Sequence, residues 1–210
     1  MTSPPEPDPD SYPCPAAAAG CDERVERSRF LALAHPLADA ARFAPLLEAI
    51  RREHHKATHH CHAFRTGHPG RKPLWGAADD GEPAGSTGLP ILRAIEGSGL
   101  SDVAVVVVRW FGGVKLGTGG LARAYGGAAA RALAACPRAL HVERLGLELR
   151  FPHSLMTLVR RAARRHGALE TGLAGGGELE LRLEAPASRL EALEEELRGI
   201  LQGRGDLWRS

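Results

Sequence analysis

Seven glycines and three cations crowd one short stretch of this chain. Val103–Gly127 reads VAVVVVRWFGGVKLGTGGLARAYGG, and Arg109, Lys115 and Arg123 are its only charges. Glycine lets backbone N–H groups approach a ligand closely, and a helix start adds positive potential. Gly112, Gly113, Gly117, Gly119 and Gly120 beside that cation trio read as a site for phosphate on a nucleic acid or nucleotide. The competing reading is that the glycines serve a tight strand-to-helix turn. GTGGLA at Gly117–Ala122 matches G-x-G-x-x-A, but the preceding strand ends well before it and no second-strand acid follows. No Gly-Lys-Ser/Thr occurs, so it is not a P-loop. Trp110 at the strand end can stack on an unpaired base, whereas Phe111 and Tyr125 read first as core.

Asp79, Asp80 and Glu82 flank Gly81. They either ligate a divalent cation such as Mg²⁺ that bridges to phosphate, or form a turn whose carboxylates neutralise arginines or cap residues 86–88. The turn is the preferred reading, with Asp80 and Glu82 forming the far wall of the phosphate site. No nucleophile is paired with them for acid–base chemistry. His54, His55, His59, His60, Cys61 and His62 resemble a metal cluster. On a strand, however, alternate side chains diverge and four ligands do not converge. His59 or His60 can instead contact phosphate, and His60 is carried forward. No metal and no cofactor is expected. Arg160, Arg161, Arg164 and Arg165 form a second basic patch, read as a solvated face or a secondary RNA contact.

These groups need a scaffold. Residues 1–22 hold six prolines and read as a disordered extension. Ser28–Leu33 predicts a strand, Ala38–His54 a helix and Ala57–Arg65 a second strand. A loop is expected from Thr66 to Pro83. A helix follows to about Gly97, capped by Ser86 or Thr87. Asp102–Trp110 does not alternate, which predicts a central strand buried on both faces. Gly119–Ala135 predicts a helix, and its small residues imply close backbone approach. Leu145–Phe151, Pro152–His166, Ala168–Leu173, Glu178–Glu184 and Ser188–Leu201 then read strand, helix, strand, strand, helix. With a closing strand at Leu207–Arg209 this is a ferredoxin-like α+β pattern. The expected division is 1–22 disordered, 23–140 and 141–210.

With 210 residues, net charge +2 and 43% hydrophobic content, the chain is expected to be a soluble protein. No apolar run is long enough to span a bilayer, and the N-terminus resembles neither a signal nor a transit peptide. A cytoplasmic monomer without membrane contact is expected. Residues 103–138 hold five basic residues and no acid, and residues 77–102 hold five acids against Arg93. That contrast predicts a polarised surface. The four cysteines form no CxxC pair and read as reduced thiols.

HHCHAF at His59–Phe64, DDGEPAGSTGLPIL at Asp79–Leu92 and VRWFGGVKLGTGGLARAYGG at Val108–Gly127, with Ser28-Arg29-Phe30 ahead of them, closely resemble the IMPACT/YigZ family. The resemblance covers about residues 24–137. Residues 144–206 resemble, by topology, the second domain of the bacterial YigZ-like branch. The resemblance implies a ribosomal protein S5 domain 2-like fold, then a domain similar to the last domain of elongation factor G. It implies a nucleic-acid or ribosome binder linked to translation regulation. Eukaryotic relatives act there through an additional N-terminal domain, for which residues 1–22 are too short. Trp110 departs from the family's usual Tyr. The expected function is non-enzymatic binding of RNA or ribosome, with a protein partner in translation as a further option. The alternative is an enzyme or nucleotide-binding protein acting on a phosphorylated small molecule through the same loop.

Overall fold

A computed structural model describes residues 9–209. The chain divides into two compact units, Tyr12–His141 and Val142–Ser210, the latter with the residues up to Ser11.

In the first unit β6 (Val103–Trp110) is the middle strand of a five-stranded antiparallel sheet. It lies between β3 (Ser28–Pro36) and β4 (His59–Thr66), and β2 (Ala19–Val25) and β5 (Leu74–Ala78) form the edges. Strand periodicity sends alternate residues to opposite faces. Val103, Val105 and Val107 pack with Cys61, Ala63 and Phe30 under α2 (Gly88–Ser98) and α3 (Gly117–Ala135). Ala104, Val106 and Val108 pack against Phe43, Leu47 and Ile50 of α1 (Phe43–Glu53). Both faces are covered, which explains why VAVVVV does not alternate. The small residues of α3 allow the expected close approach, since a Cβ on Gly126 would sit 3.4 Å from the Pro90 carbonyl oxygen of α2.

Three expectations need correction here. Residues 9–22 are not a disordered tail, and residues 1–8 lie outside the described residues. β1 (Ser11–Pro15) pairs with β7 (Arg138–Val142), and β2 pairs with β3. The anchor is Tyr12, 4% exposed, whose hydroxyl donates to Asp102 Oδ2 at 2.8 Å. The loop expected at 66–83 contains β5, paired with β4 from His62↔Ala78 to Thr66↔Leu74. The helix expected over Ala38–His54 opens with a 3₁₀ turn, Ala40–Arg42, capped by the Asp39 carboxylate on the Ala41 N–H at 2.9 Å. Pro45 then falls in the first turn of α1, where its missing N–H costs nothing.

The second unit runs β8 (Arg144–Phe151), α4 (Met156–Arg165), β9 (Leu169–Gly175), β10 (Leu179–Pro186), α5 (Leu190–Leu201), β11 (Asp206–Arg209). Its four-stranded antiparallel sheet has the order β11-β8-β10-β9. Leu147, Leu149, Leu181 and Leu183 pack under Val159 of α4 and Leu193 and Leu197 of α5. This is a mixed α/β protein throughout.

Candidate functional site

Arg109 is the penultimate residue of β6, opposite His59 on one side and Phe30 on the other. It is not the uncompensated cation that charge counting suggests. Its Nη1 donates to Glu82 Oε1 at 2.6 Å and its Nη2 to Ser28 Oγ at 3.1 Å. The Tyr125 hydroxyl donates to the same Oε1 at 2.8 Å. The Arg109 and Glu82 side chains are only 5% and 6% exposed. The guanidinium lies between the rings of Phe30 and Phe111, 5.4 and 5.3 Å from their centroids. Burial pushes the Tyr125 hydroxyl well up and the neighbouring Cys61 thiol to about 11. Arg109 and Glu82 are therefore a desolvated structural pair at the base of the site. Such a pair depends on both partners remaining in place.

The acidic turn is the turn that was preferred. Asp80 and Gly81 take φ of +44° and +87°. The Asp80 carboxylate receives Arg51 Nη2 at 2.7 Å and the His60 backbone N–H at 2.7 Å. Asp79 caps α2 from nine residues upstream of Gly88, accepting the N–H groups of Gly85, Thr87 and Gly88 at 2.7–2.9 Å and the Thr87 hydroxyl at 2.7 Å. Burial would raise its carboxyl pKa, but these donors outweigh that and hold it below the usual value. The cap is thus Asp79, and not Ser86 or Thr87; the Ser86 hydroxyl donates to the Pro83 carbonyl at 2.6 Å. Each carboxylate of the trio accepts from protein donors, Glu82 through Oε1 alone among the described residues. Among the described residues no three His, Cys, Asp or Glu side chains converge to hold a metal ion.

Strand parity separates residues that the sequence reading grouped together. His60 and Trp110 share the α1 face of the sheet, away from Arg109 and Glu82. Burial depresses the His60 pKa. Trp110 is no open platform, because the Arg29 guanidinium sits 4.5 Å from its ring centroid and His54 packs edge-on at 5.7 Å. The histidine on the site's face is His59. Its Nδ1 lies 2.8 Å from the Asp80 carbonyl oxygen, and its Nε2 lies 3.8 Å from Glu82 Oε1. Phe111 is also misplaced by the sequence reading. It is 47% exposed, whereas Tyr125 is buried as expected.

The glycine loop separates two recesses. One, about 430 Å³, is lined by Thr58, His59, Glu82, Phe111, Thr118 and Leu121 among others. The other, about 520 Å³, is lined by Val25, Glu26, Gly120, Arg123, Gly127 and Arg131 among others. Lys115 and Leu116 border both. Arg131 is paired with Glu23. Lys115 and Arg123 are exposed and have no carboxylate partner among the described residues. The glycines shape this loop. A Cβ on Gly112 would lie 2.0 Å from the Arg27 carbonyl oxygen, and Gly113 and Gly117 take φ of +87° and +67°. Gly119 and Gly120 lie in the first turn of α3, which has no side-chain cap and no acid. The free N–H groups of that turn flank Lys115. The second basic patch is half neutralised. Arg160 pairs with Glu170 at 2.9 Å and Arg165 with Glu196 at 2.8 Å.

Of the expected site, Lys115, Gly117, Gly119, Gly120 and Arg123 come together around one helix start. Arg109, Asp80 and Glu82 support it from below, and His60 and Trp110 are excluded. Of the two histidines offered for a phosphate contact, His59 and not His60 lies on this face, and Thr58 and Thr118 were passed over. Parity could have found His59, since it shares alternation with the small residues Cys61 and Ala63 that underlie the helices.

Residues 26–133 match the Impact N-terminal domain. The chain is 36% identical over 196 residues to an "IMPACT family member" of Haemophilus influenzae, covering 92% of this chain and 94% of the relative. It is 43% identical over 186 residues to an "IMPACT family member in pol 5′ region" of Thermus thermophilus, covering 86% and 99%. A solved structure, described only as that of a hypothetical protein, superposes with a TM-score of 0.71 at 30% identity, over 94% of this chain and 96% of the other. No helix among the described residues is long and apolar enough to cross a membrane. From the matched domain and the near full-length relatives together, the chain belongs to the IMPACT family.

Proposed function

We propose that the chain is a non-enzymatic RNA- or ribosome-binding protein linked to the regulation of translation, acting in the cytoplasm. One observation carries the reading: Lys115 and Arg123, both without a carboxylate partner among the described residues, lie around the start of α3, whose first turn has no side-chain cap and no acid. Cations near a helix N-terminus are disfavoured by the helix dipole. Both become favourable when a phosphate binds there, because the free N–H groups and the cations then act on the same anion. The site is thus narrower than first expected. Its contact residues are Lys115, Gly117, Gly119, Gly120 and Arg123, while Arg109, Asp80 and Glu82 position the loop. The strand order β11-β8-β10-β9 supports a ferredoxin-like second domain, and the family supports a ribosomal protein S5 domain 2-like first domain.

The test is binding of single-stranded RNA as a function of salt. The affinity should fall steeply, and Lys115→Ala with Arg123→Ala together should reduce the slope of log K against log salt by about 1.4, at roughly 0.7 per phosphate contact. Retention of the full slope in the double variant would place the contact elsewhere.

A further inference from the structure

The smaller recess has a chemistry that phosphate does not explain. Its upper wall is apolar: Phe111, Leu116, Leu121 and Pro83. Phe111 is the notable member, a phenylalanine 47% exposed at the end of the central strand. Its ring covers the Arg109 guanidinium, and its backbone N–H donates to Thr58 Oγ1 at 3.1 Å.

The floor offers acceptors. A backbone carbonyl can only accept, so the 2.8 Å contact from the Asp80 oxygen assigns the proton of His59 to Nδ1. Nε2 then presents a lone pair. Glu82 Oε1 is occupied by Arg109 and Tyr125, while no described residue donates to Oε2. An apolar wall over a floor with two acceptors selects a flat group carrying N–H donors. At about 430 Å³ the recess falls at the small end of ligand pockets. It shares Lys115 and Leu116 with the basic recess, so a group held here is continuous with a phosphate bound there.

We infer that this recess receives one unpaired nucleobase of the bound strand, with Phe111 stacking on its face and His59 and Glu82 accepting from its amino group. The inference rests on the polyanion reading above and refines it. The ligand is single-stranded RNA read one splayed base at a time, and not a bare phosphate track. Bases with an exocyclic amino group (adenine, cytosine and guanine) are accepted in preference to uracil.

The experiment titrates the full chain with labelled RNA octamers of adenine, cytosine or uracil and with an abasic octamer of equal charge, at one low salt concentration. Adenine and cytosine octamers should bind at least about fivefold tighter than the abasic one, the lower range for one stacked base. Uracil should fall between. Phe111→Ala should bring all four together, and His59→Ala should remove the preference for adenine and cytosine over uracil. Phe111 is 47% exposed and the His59 side chain 20% exposed, so both variants should retain the wild-type circular dichroism spectrum. Lys115→Ala should weaken all four alike. Equal binding of the abasic and adenine octamers overturns the base pocket and leaves the polyanion site standing. Failure of every octamer to bind overturns both.

Discussion

The two units treat charge in opposite ways. Of the buried polar and charged residues, all but Asp10 belong to the first unit, including Arg109, His60, Thr87 and Asp102. In the second unit the charges of the sheet meet across strands at the surface, Arg150 with Glu180 at 2.8 Å and Arg182 with Glu148 at 3.2 Å. The helices differ in the same sense. Arg164 and Arg165 occupy the last turn of α4, where the dipole favours cations. Lys115 lies just ahead of α3, where it does not, and Arg123 lies beyond the first turn without a carboxylate partner among the described residues. Stability alone accounts for the arrangement in the second unit. In the first unit it does not account for two exposed cations, which the proposed phosphate would engage.

The comparison breaks most visibly at the buried pair. Arg109→Ala or Glu82→Ala should each cost about 3–5 kcal/mol, because the remaining charge is left desolvated. Arg150→Ala or Arg182→Ala should cost far less, because exposed cross-strand pairs are screened by solvent. Urea unfolding of the full chain measures both. Equal losses would mean that the first unit's charges are no more structural than the second's.

Asp79→Ala is next, at about 1–2 kcal/mol, the usual cost of a lost helix cap. Its pH dependence sharpens the point. The folded carboxyl has a depressed pKa, so its stabilisation is complete above the unfolded value and is lost as pH falls through the folded one. His35, His60 and His62 are depressed by burial, so the unfolded chain takes up their protons first. Wild-type stability should therefore begin to fall below about pH 6.5 and fall again below about pH 4. Asp79→Ala should remove part of the second decline and keep the first. Replacing His35, His60 and His62 together by glutamine should flatten the first.

Much of the first unit was legible because its signals are local. The unbroken run of valines in β6 requires cover on both faces, and Asp80-Gly81 has turn chemistry. β5 was hidden because Leu74 and Trp75 are exposed and Pro73 and Gly76 punctuate them, so neither period nor propensity marks a strand. β1 was hidden because its order comes from a tertiary bond, Tyr12 to Asp102, inside a proline-rich stretch that composition reads as disorder. Arg109 was misjudged for a related reason. Its partner Glu82 lies 27 residues upstream and reaches it only after a helix and a strand have folded. Counting charges within a segment cannot see that pairing.

The smallest effect tests the comparison most directly. Thr118 is exposed in the first turn of α3, where no acid is present. Thr118→Glu should raise stability by about 0.3–1 kcal/mol through the dipole and through Lys115. The same carboxylate would occupy the positive potential offered to phosphate, so RNA affinity should fall while stability rises. Arg164→Glu on α4 should do the reverse. It places an acid at the negative end of a helix, costs about 0.3–1 kcal/mol, and leaves RNA binding within twofold. A stabilised Thr118→Glu that still binds RNA as tightly as the wild type would show that the cations around α3 are not placed for an anion.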